Sequence, residues 1–403
     1  MSKQILIAGG GASGLSAAIA AAECGAQVTI LERLPRVGKK ILATGNGRCN
    51  LGHAGKELAH YHGTLPQAKQ ILQQFDTVRF FRKLGVLTRT DSEGRQYPCS
   101  GAAASVLDAL RLACERLGVS ICCDTKLTAL SQQGGRWIAE CENARYSADA
   151  VILAAGGSAS PVNGTDGNLL PMLERMGHRI ITPLPALCPI PTNPNLVRSL
   201  KGMRVQAMAS AIVEGKIRKQ ERGEVQFTET ALSGICIFNL SRLAAVYGDR
   251  MTVSLNLLPD RTAQEATQLL SELIALYADA EADYLLIGLL PKRVGAVCIK
   301  QALGKAQGSI GTLFASSKAR EQLLRQLTDW RFPVAAMASF AQAQVTAGGI
   351  SGQSVDRNLE SRCAKGLYFC GELLDLDGDC GGYNLDWAWA SGSYVGKAAA
   401  QNA

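Results

Sequence analysis

Six residues near the start, Gly9-Gly10-Gly11-Ala12-Ser13-Gly14, constrain the fold of this chain more than any other segment. They follow the apolar run Ile5-Leu6-Ile7-Ala8, which has the character of a buried strand, and lead into the small, helix-compatible run from Leu15 to Ala22. The order is strand, tight turn, helix. Gly9 permits the turn, Gly11 lets a pyrophosphate approach the backbone, and Gly14 allows the helix to pack closely on the strand. Ala12 and Ser13 then present their N–H groups at the positive end of the helix, where phosphates are stabilised. A second apolar run, Val28-Thr29-Ile30-Leu31, ends in Glu32, 18 residues beyond Gly14. That is where an acid takes the ribose hydroxyls of an adenine dinucleotide. The motif in this context predicts dinucleotide binding.

With 403 residues the chain has room for two or three structural units. No window reaches the roughly 18 uninterrupted apolar residues of a membrane span, and glycines then Glu23 interrupt the apolar start. The expectation is a cytoplasmic protein with no membrane partner. The 13 cysteines are scattered and odd in number, with no CxxC, which suits reduced thiols. The four histidines, His53, His60, His62 and His178, have no ligand spacing, so no metal is expected. The net charge of +8 raises nucleic acid as a partner. However, Arg33, Arg36, Lys39, Lys40 and Arg48 cluster just after the phosphate motif, where an anionic dinucleotide accounts for them. That placement argues against nucleic acid and for a small-molecule substrate; the oligomeric state is not legible.

Several further segments carry ligand chemistry. The stretch Gly38 to Asn50 reads as a glycine-rich, polar, basic loop, with Lys39, Lys40, Thr44, Gly45, Asn46, Arg48, Cys49 and Asn50 as candidate cofactor contacts. Helical patterns run from Pro66 to Leu84 and from Ser105 to Leu117, and short strands lie around Val119–Cys123 and Trp137–Cys141. A buried strand, Val151 to Ala155, runs into Gly156-Gly157 and reads as a return to the parallel sheet beside the cofactor. The proline-rich stretch from Pro183 to Pro194 reads as irregular, with a boundary near residue 188. Beyond it, alternation at Val205 to Val213, at Gly223 to Thr228 and at Met251 to Leu258 predicts an antiparallel β unit. Thr262-x-x-Glu265 then resembles a capping box opening a helical unit. Cofactor chemistry returns at Gly348, at the strand ending in Gly371-Glu372, and at the glycine-rich entry to Gly382-Tyr383-Asn384, a helix start that aims N–H groups at whatever faces it.

Together these pieces resemble the two-dinucleotide-fold flavoproteins. More narrowly, residues 38–50, 151–157, 227–233, 345–350 and 366–391 resemble the BaiN-type bacterial NAD(P)/FAD-dependent oxidoreductases, the aminoacetone oxidase-like FAD-binding proteins. The resemblance runs nearly end to end. It implies an α/β fold: a Rossmann-like FAD-binding domain of glutathione-reductase type, interrupted by a β-barrel-like unit and a helical unit. The segments are then 1–188 (FAD-binding, first part), 189–258 (β unit), 259–340 (helical unit and return) and 341–403 (FAD-binding, second part). In one place the chain departs from the pattern. Where His-x-Gly is expected after Phe227-Thr228, Glu229-Thr230-Ala231 stands, and Ile235 replaces a usual proline.

The resemblance implies FAD as cofactor and NAD(P)H as transient electron donor. The leading expectation is a reductase delivering hydride to an electron-poor C=C of an apolar, 3-oxo bile-acid-like molecule. Tyr383 and Glu229 are the candidate proton donors, Glu229 only if burial raises its pKa. Only one complete fingerprint is present, so the nicotinamide has no dedicated domain. That keeps open an oxidase of a small amine or alcohol and, from other classes, a non-catalytic or RNA-associated FAD-binding protein.

Overall fold

The computed structural model describes residues 2–304 and 307–401. Residues 305 and 306 of the expected helical unit lie outside the described residues, as do residues 1, 402 and 403. Two compact units emerge, residues 2–184 with 344–401, and residues 185–343.

The first unit is built on a five-stranded, all-parallel sheet in the order Leu367–Phe369, Ala150–Leu153, Gln4–Ala8, Gln27–Leu31 and Ser120–Cys122. Parallel strands flanked by helices are buried on both faces, which is why they read as continuous apolar runs. Ile5 to Ala8 and Val151 to Leu153 are accordingly all within the core. The first strand passes through the glycine turn into the helix Ala12–Glu23, and the chain closes on the helix Tyr383–Gln401. These two helices touch backbone to backbone. A Cβ on Gly392 would stand 2.2 Å from Ser13 O, and one on Gly396 2.3 Å from Ala17 O. A three-stranded antiparallel meander, Leu127–Gln133, Arg136–Cys141 and Arg145–Ala148, accompanies this sheet.

The second unit holds a six-stranded antiparallel sheet in the order Ile190–Pro191, Ala231–Ser233, Lys216–Phe227, Arg204–Val213, Met251–Asn256 and Trp330–Pro333. The two edge strands meet through a bridge between Thr192 and Val334, which closes the sheet in the manner of a barrel. Sheet and helices share one core, in which Phe227, Trp330 and Phe332 pack with ring centroids 5.0–6.1 Å apart. The helix Ala263–Leu276 opens with the capping box of Thr262 and Glu265.

Local expectations are corrected in three places. The pattern from Pro66 to Leu84 forms two helices, Ala68–Gln74 and Thr77–Lys83, because the Asp76 side chain caps the second by accepting from Arg79 N. The stretch 38–50 is not loop throughout: Lys39–Ala43 is helical, and left-handed Gly45, Asn46 and Cys49 form the turn. Pro183 and Pro185 sit inside a strand, Ile180–Ala186, that pairs in a two-stranded sheet. An edge strand with no neighbour on its far side tolerates residues that lack an N–H.

Candidate active site

A cleft opens along the carboxyl ends of the parallel strands in the first unit, which is the ligand position of open α/β sheets. Its floor is the glycine turn. Gly9 has φ +111°, and a Cβ there would strike Ala154 O at 2.4 Å. Gly14 lies beneath, where a Cβ would stand 1.9 Å from Gly9 O. Gly11 differs, since a Cβ built on it meets nothing within 4 Å. Gly11 also caps the helix Ala12–Glu23 without any side-chain hydrogen bond, and the first turn carries no acid. The N–H groups of Ala12 and Ser13 therefore face open space under a positive helix end.

Glu32 is buried and its carboxylate is fixed by two backbone donors, Gly10 N to Oε2 and Leu34 N to Oε1, both at 2.8 Å. Arg33 lines the same part of the cleft and pairs with Asp166 at 2.7 Å. Along one wall, Lys39 Nζ donates to Val162 O at 2.6 Å, and Lys40 Nζ pairs with Glu372 Oε2 at 2.8 Å. The second Glu372 oxygen accepts from Thr346 N at 3.0 Å. Thr44, Ala155 and Gly156 also line the cleft, as does Asn384, whose amide is locked by Gly378 N and Gly378 O. So Gly9, Gly11, Ala12, Ser13, Glu32, Arg33, Lys39, Lys40, Thr44, Ala155, Gly156, Glu372 and Asn384 come together on one surface.

Other candidates stand behind this surface. Gly157 packs on Thr346, Gly348 on Thr182 O, and Gly371 on Ser13, each too closely to admit a Cβ. Gly45, Asn46 and Arg48 are exposed, with the Arg48 guanidinium over the Tyr97 ring. Cys49 is fully buried, and burial pushes its thiol up to about 12. Asn50 Oδ1 is buried with no hydrogen-bond partner among the described residues and lies against Gly382, where a Cβ would approach it at 2.6 Å.

Of the two proton-donor candidates, Glu229 fails the condition set for it. It lies in the second unit, is exposed, and pairs with Lys201 Nζ at 2.9 Å, which holds its carboxyl below the usual range instead of raising it. Tyr383 is buried at the start of the last helix, and burial, with the charges of Asp379 and Glu57, pushes its phenol up to about 12. Sequence reasoning missed its surroundings: His53 and His60 both stack on the ring, and Asp379 binds His60 and His62. The signal available was the alternation His60-x-His62 and one acid inside the Gly378–Gly382 turn. Below them Asp386 is fully buried, beside Lys56 Nζ at 3.2 Å and hydrogen-bonded by Thr77; burial raises its carboxyl above the usual value against the pull of Lys56. Among the described residues no helix is long and apolar enough to cross a membrane.

A model of the family described as HI0933-like protein Rossmann domain matches residues 3–398. The chain is 38% identical over 412 aligned residues to the 3-dehydro-bile acid delta(4,6)-reductase of Clostridium scindens, covering 99% of each chain. It is 26% identical to the ribosomal RNA dihydrouridine synthase of Escherichia coli, covering 96% of this chain and 95% of that one. Among solved structures, 3-ketosteroid delta1-dehydrogenase from Sterolibacterium denitrificans aligns over 100% of both chains with TM-score 0.52 at 12% identity, a likeness of fold alone. With the glycine turn, Glu32 and Glu372 arranged around one cleft and a family match spanning the chain, this protein belongs to the HI0933-like Rossmann family, the BaiN-type FAD-binding oxidoreductases that its motifs resemble.

Proposed function

We propose that this chain is an FAD-dependent, NAD(P)H-driven reductase that adds hydrogen across an electron-poor C=C conjugated to a carbonyl, in an apolar small molecule of the 3-oxo bile-acid kind. The observation that carries the reading is the similarity to a bile-acid reductase over 99% of both chains.

The residues present fit the cofactor. Open space over Gly11 and an uncapped helix end are what a bound dinucleotide would complete. Ala12 and Ser13 would hold the diphosphate, Glu32 the adenosine ribose, and Lys40, Glu372 and Asn384 the flavin end. FAD, when bound, supplies hydride chemistry at its isoalloxazine ring. The chain's part is to orient and to move one proton. The Tyr383 O–H bond breaks as a C–H bond forms alpha to the substrate carbonyl. Its electron pair stays on the phenolate oxygen, and a solvent proton restores the phenol. Hydride for the beta carbon originates from the reduced nicotinamide.

A second reading is favoured by the relatives named ribosomal RNA dihydrouridine synthase, at 26% and 25% identity over 96% of this chain. Uracil also carries a C=C conjugated to a carbonyl, so the same chemistry on an RNA base is the competing substrate class. The test incubates the FAD-loaded protein with NADH or NADPH and either a 3-oxo-Δ4,6 bile acid or a uridine-containing RNA, followed by mass spectrometry. A gain of two hydrogens on the bile acid alone supports the proposal. Gain on RNA alone moves the substrate to nucleic acid, and oxygen-dependent peroxide from an amine or alcohol marks an oxidase.

A further inference from the structure

The segment Tyr61–Gly63 pairs antiparallel with Leu376–Gly378, with Tyr61 opposite Gly378 and His62 opposite Asp377. His60 ends the short 3-10 turn Leu58–His60, His62 lies in the strand that follows it, and both side chains reach one carboxylate. The turn after Gly378 brings Asp379 to them, and its N–H donates to His60 O at 2.8 Å. Both carboxylate oxygens are then used: His60 Nδ1 lies 3.1 Å from Oδ2 and His62 Nε2 3.0 Å from Oδ1. The Asp379 side chain is only 7% exposed, and a buried carboxylate is tolerated only when its oxygens are satisfied.

The His60 ring in turn stacks on Tyr383, with centroids 4.7 Å apart and planes at 20°. His53 also stacks on the ring, at 4.8 Å and 23°, itself held between Gly55 O and Glu93 O. Tyr61 meets the ring edge-on at 5.5 Å. The phenol ring is thus clamped by three aromatic rings.

We propose that Asp379 is a positioning residue: by fixing His60 against the Tyr383 ring, it holds the phenol as the proton donor, an inference that rests on the reductase reading above. The groups facing that phenol are His53, His60, Tyr61, Asp379 and Glu57, and the two carboxylates both oppose its ionisation.

The test uses the FAD-loaded full chain, tyrosine labelled with ¹³C at the ring carbon bearing oxygen, and Asp379→Asn, His60→Ala and Tyr383→Phe variants. The Tyr383 signal is assigned by its loss in Tyr383→Phe and followed by NMR against pH. Wild type is expected to titrate near 12. Asp379→Asn is expected to titrate lower, toward the free phenol near 10. In turnover, Tyr383→Phe should lose roughly 100-fold in kcat. Asp379→Asn and His60→Ala should each lose about tenfold with KM nearly unchanged, while the rate of flavin bleaching by reduced nicotinamide stays at the wild-type value in these two. If Asp379→Asn leaves the Tyr383 titration where it was, the positioning role is overturned; should Asp379→Asn not fold, an unchanged kcat in His60→Ala overturns it equally. Bleaching in wild type with full turnover in Tyr383→Phe overturns this inference and the Tyr383 proton step but leaves the reductase reading standing; absence of bleaching in wild type overturns the reductase reading on which it rests.

Discussion

Gly11→Ala separates cofactor binding from folding. The Gly11 backbone, at φ −84° and ψ −165°, lies in a region open to alanine, and the added Cβ meets no protein atom within 4 Å. Losing glycine at a helix N-cap costs about 0.5–1 kcal/mol. Reduced freedom of the unfolded chain returns about 0.4–1 kcal/mol. The net effect on the apoprotein is within about 0.5 kcal/mol, a Tm shift of roughly 2 °C or less for a unit of this size. The methyl nonetheless fills the space in which the proposed diphosphate would sit. Displacing one charge-assisted hydrogen bond costs about 1.5–3 kcal/mol, or roughly ten- to hundredfold in FAD affinity. Gly14→Ala is the control of opposite sign, because its Cβ would stand 1.9 Å from Gly9 O and the helix must move. Overpacking of that kind costs about 1–3 kcal/mol or more, several degrees in Tm. Calorimetry of both apoproteins and fluorescence titration with FAD measure the two quantities. Wild-type FAD affinity in Gly11→Ala, or a stability loss in it equal to that of Gly14→Ala, would refute the reasoning.

Other expectations follow from single contacts. Lys40→Met leaves Glu372 Oε2 without its cation in a mostly buried pair and should cost about 1–3 kcal/mol in denaturant unfolding, with Glu372→Gln added to it recovering part of the loss. Asp386→Ala strips Lys56 of its buried partner, and a loss of about 3–5 kcal/mol is expected by the same measurement. Because the Tyr383 phenol is raised from 10 to about 12, the folded state binds that proton more tightly. Its contribution is full below pH 10 and disappears as pH rises through about 12, so Tyr383→Phe should flatten the alkaline end of a stability–pH curve. Cys49, buried and pushed up to about 12, should resist iodoacetamide in the native protein while exposed Cys24, Cys99 and Cys363 react, as peptide mapping would read.

What was legible in the sequence was whatever local order encodes. The strand–turn–helix at residues 4–23, the acid at Glu32 and the capping box at Thr262 depend on neighbours in the chain, so pattern alone recovers them. The cleft surface from Gly9 to Asn384 was legible for the same reason, since its motifs are short and each follows a strand or opens a helix. Gly348 shows the limit. A strand glycine reads equally as a ligand approach or a tight packing contact, and only the Thr182 carbonyl beside it identifies which contact the glycine serves. The proline-rich stretch misled because proline breaks a ladder only where an N–H is needed, and the far edge of a two-stranded sheet needs none. The clamp on Tyr383 was invisible for a different reason: His60 and Asp379 are separated by more than three-quarters of the chain, and nothing local marks a pairing made by tertiary folding.

The measurement that tests the central claim most directly is an anaerobic one. The FAD-loaded protein is mixed in turn with NADH and NADPH while the flavin band near roughly 450 nm is followed, and a 3-oxo-Δ4,6 bile acid is then added. Bleaching by at least one nucleotide, and return of the band on adding the unsaturated acceptor, is the result expected of the reductase. A band that neither nucleotide bleaches would contradict it.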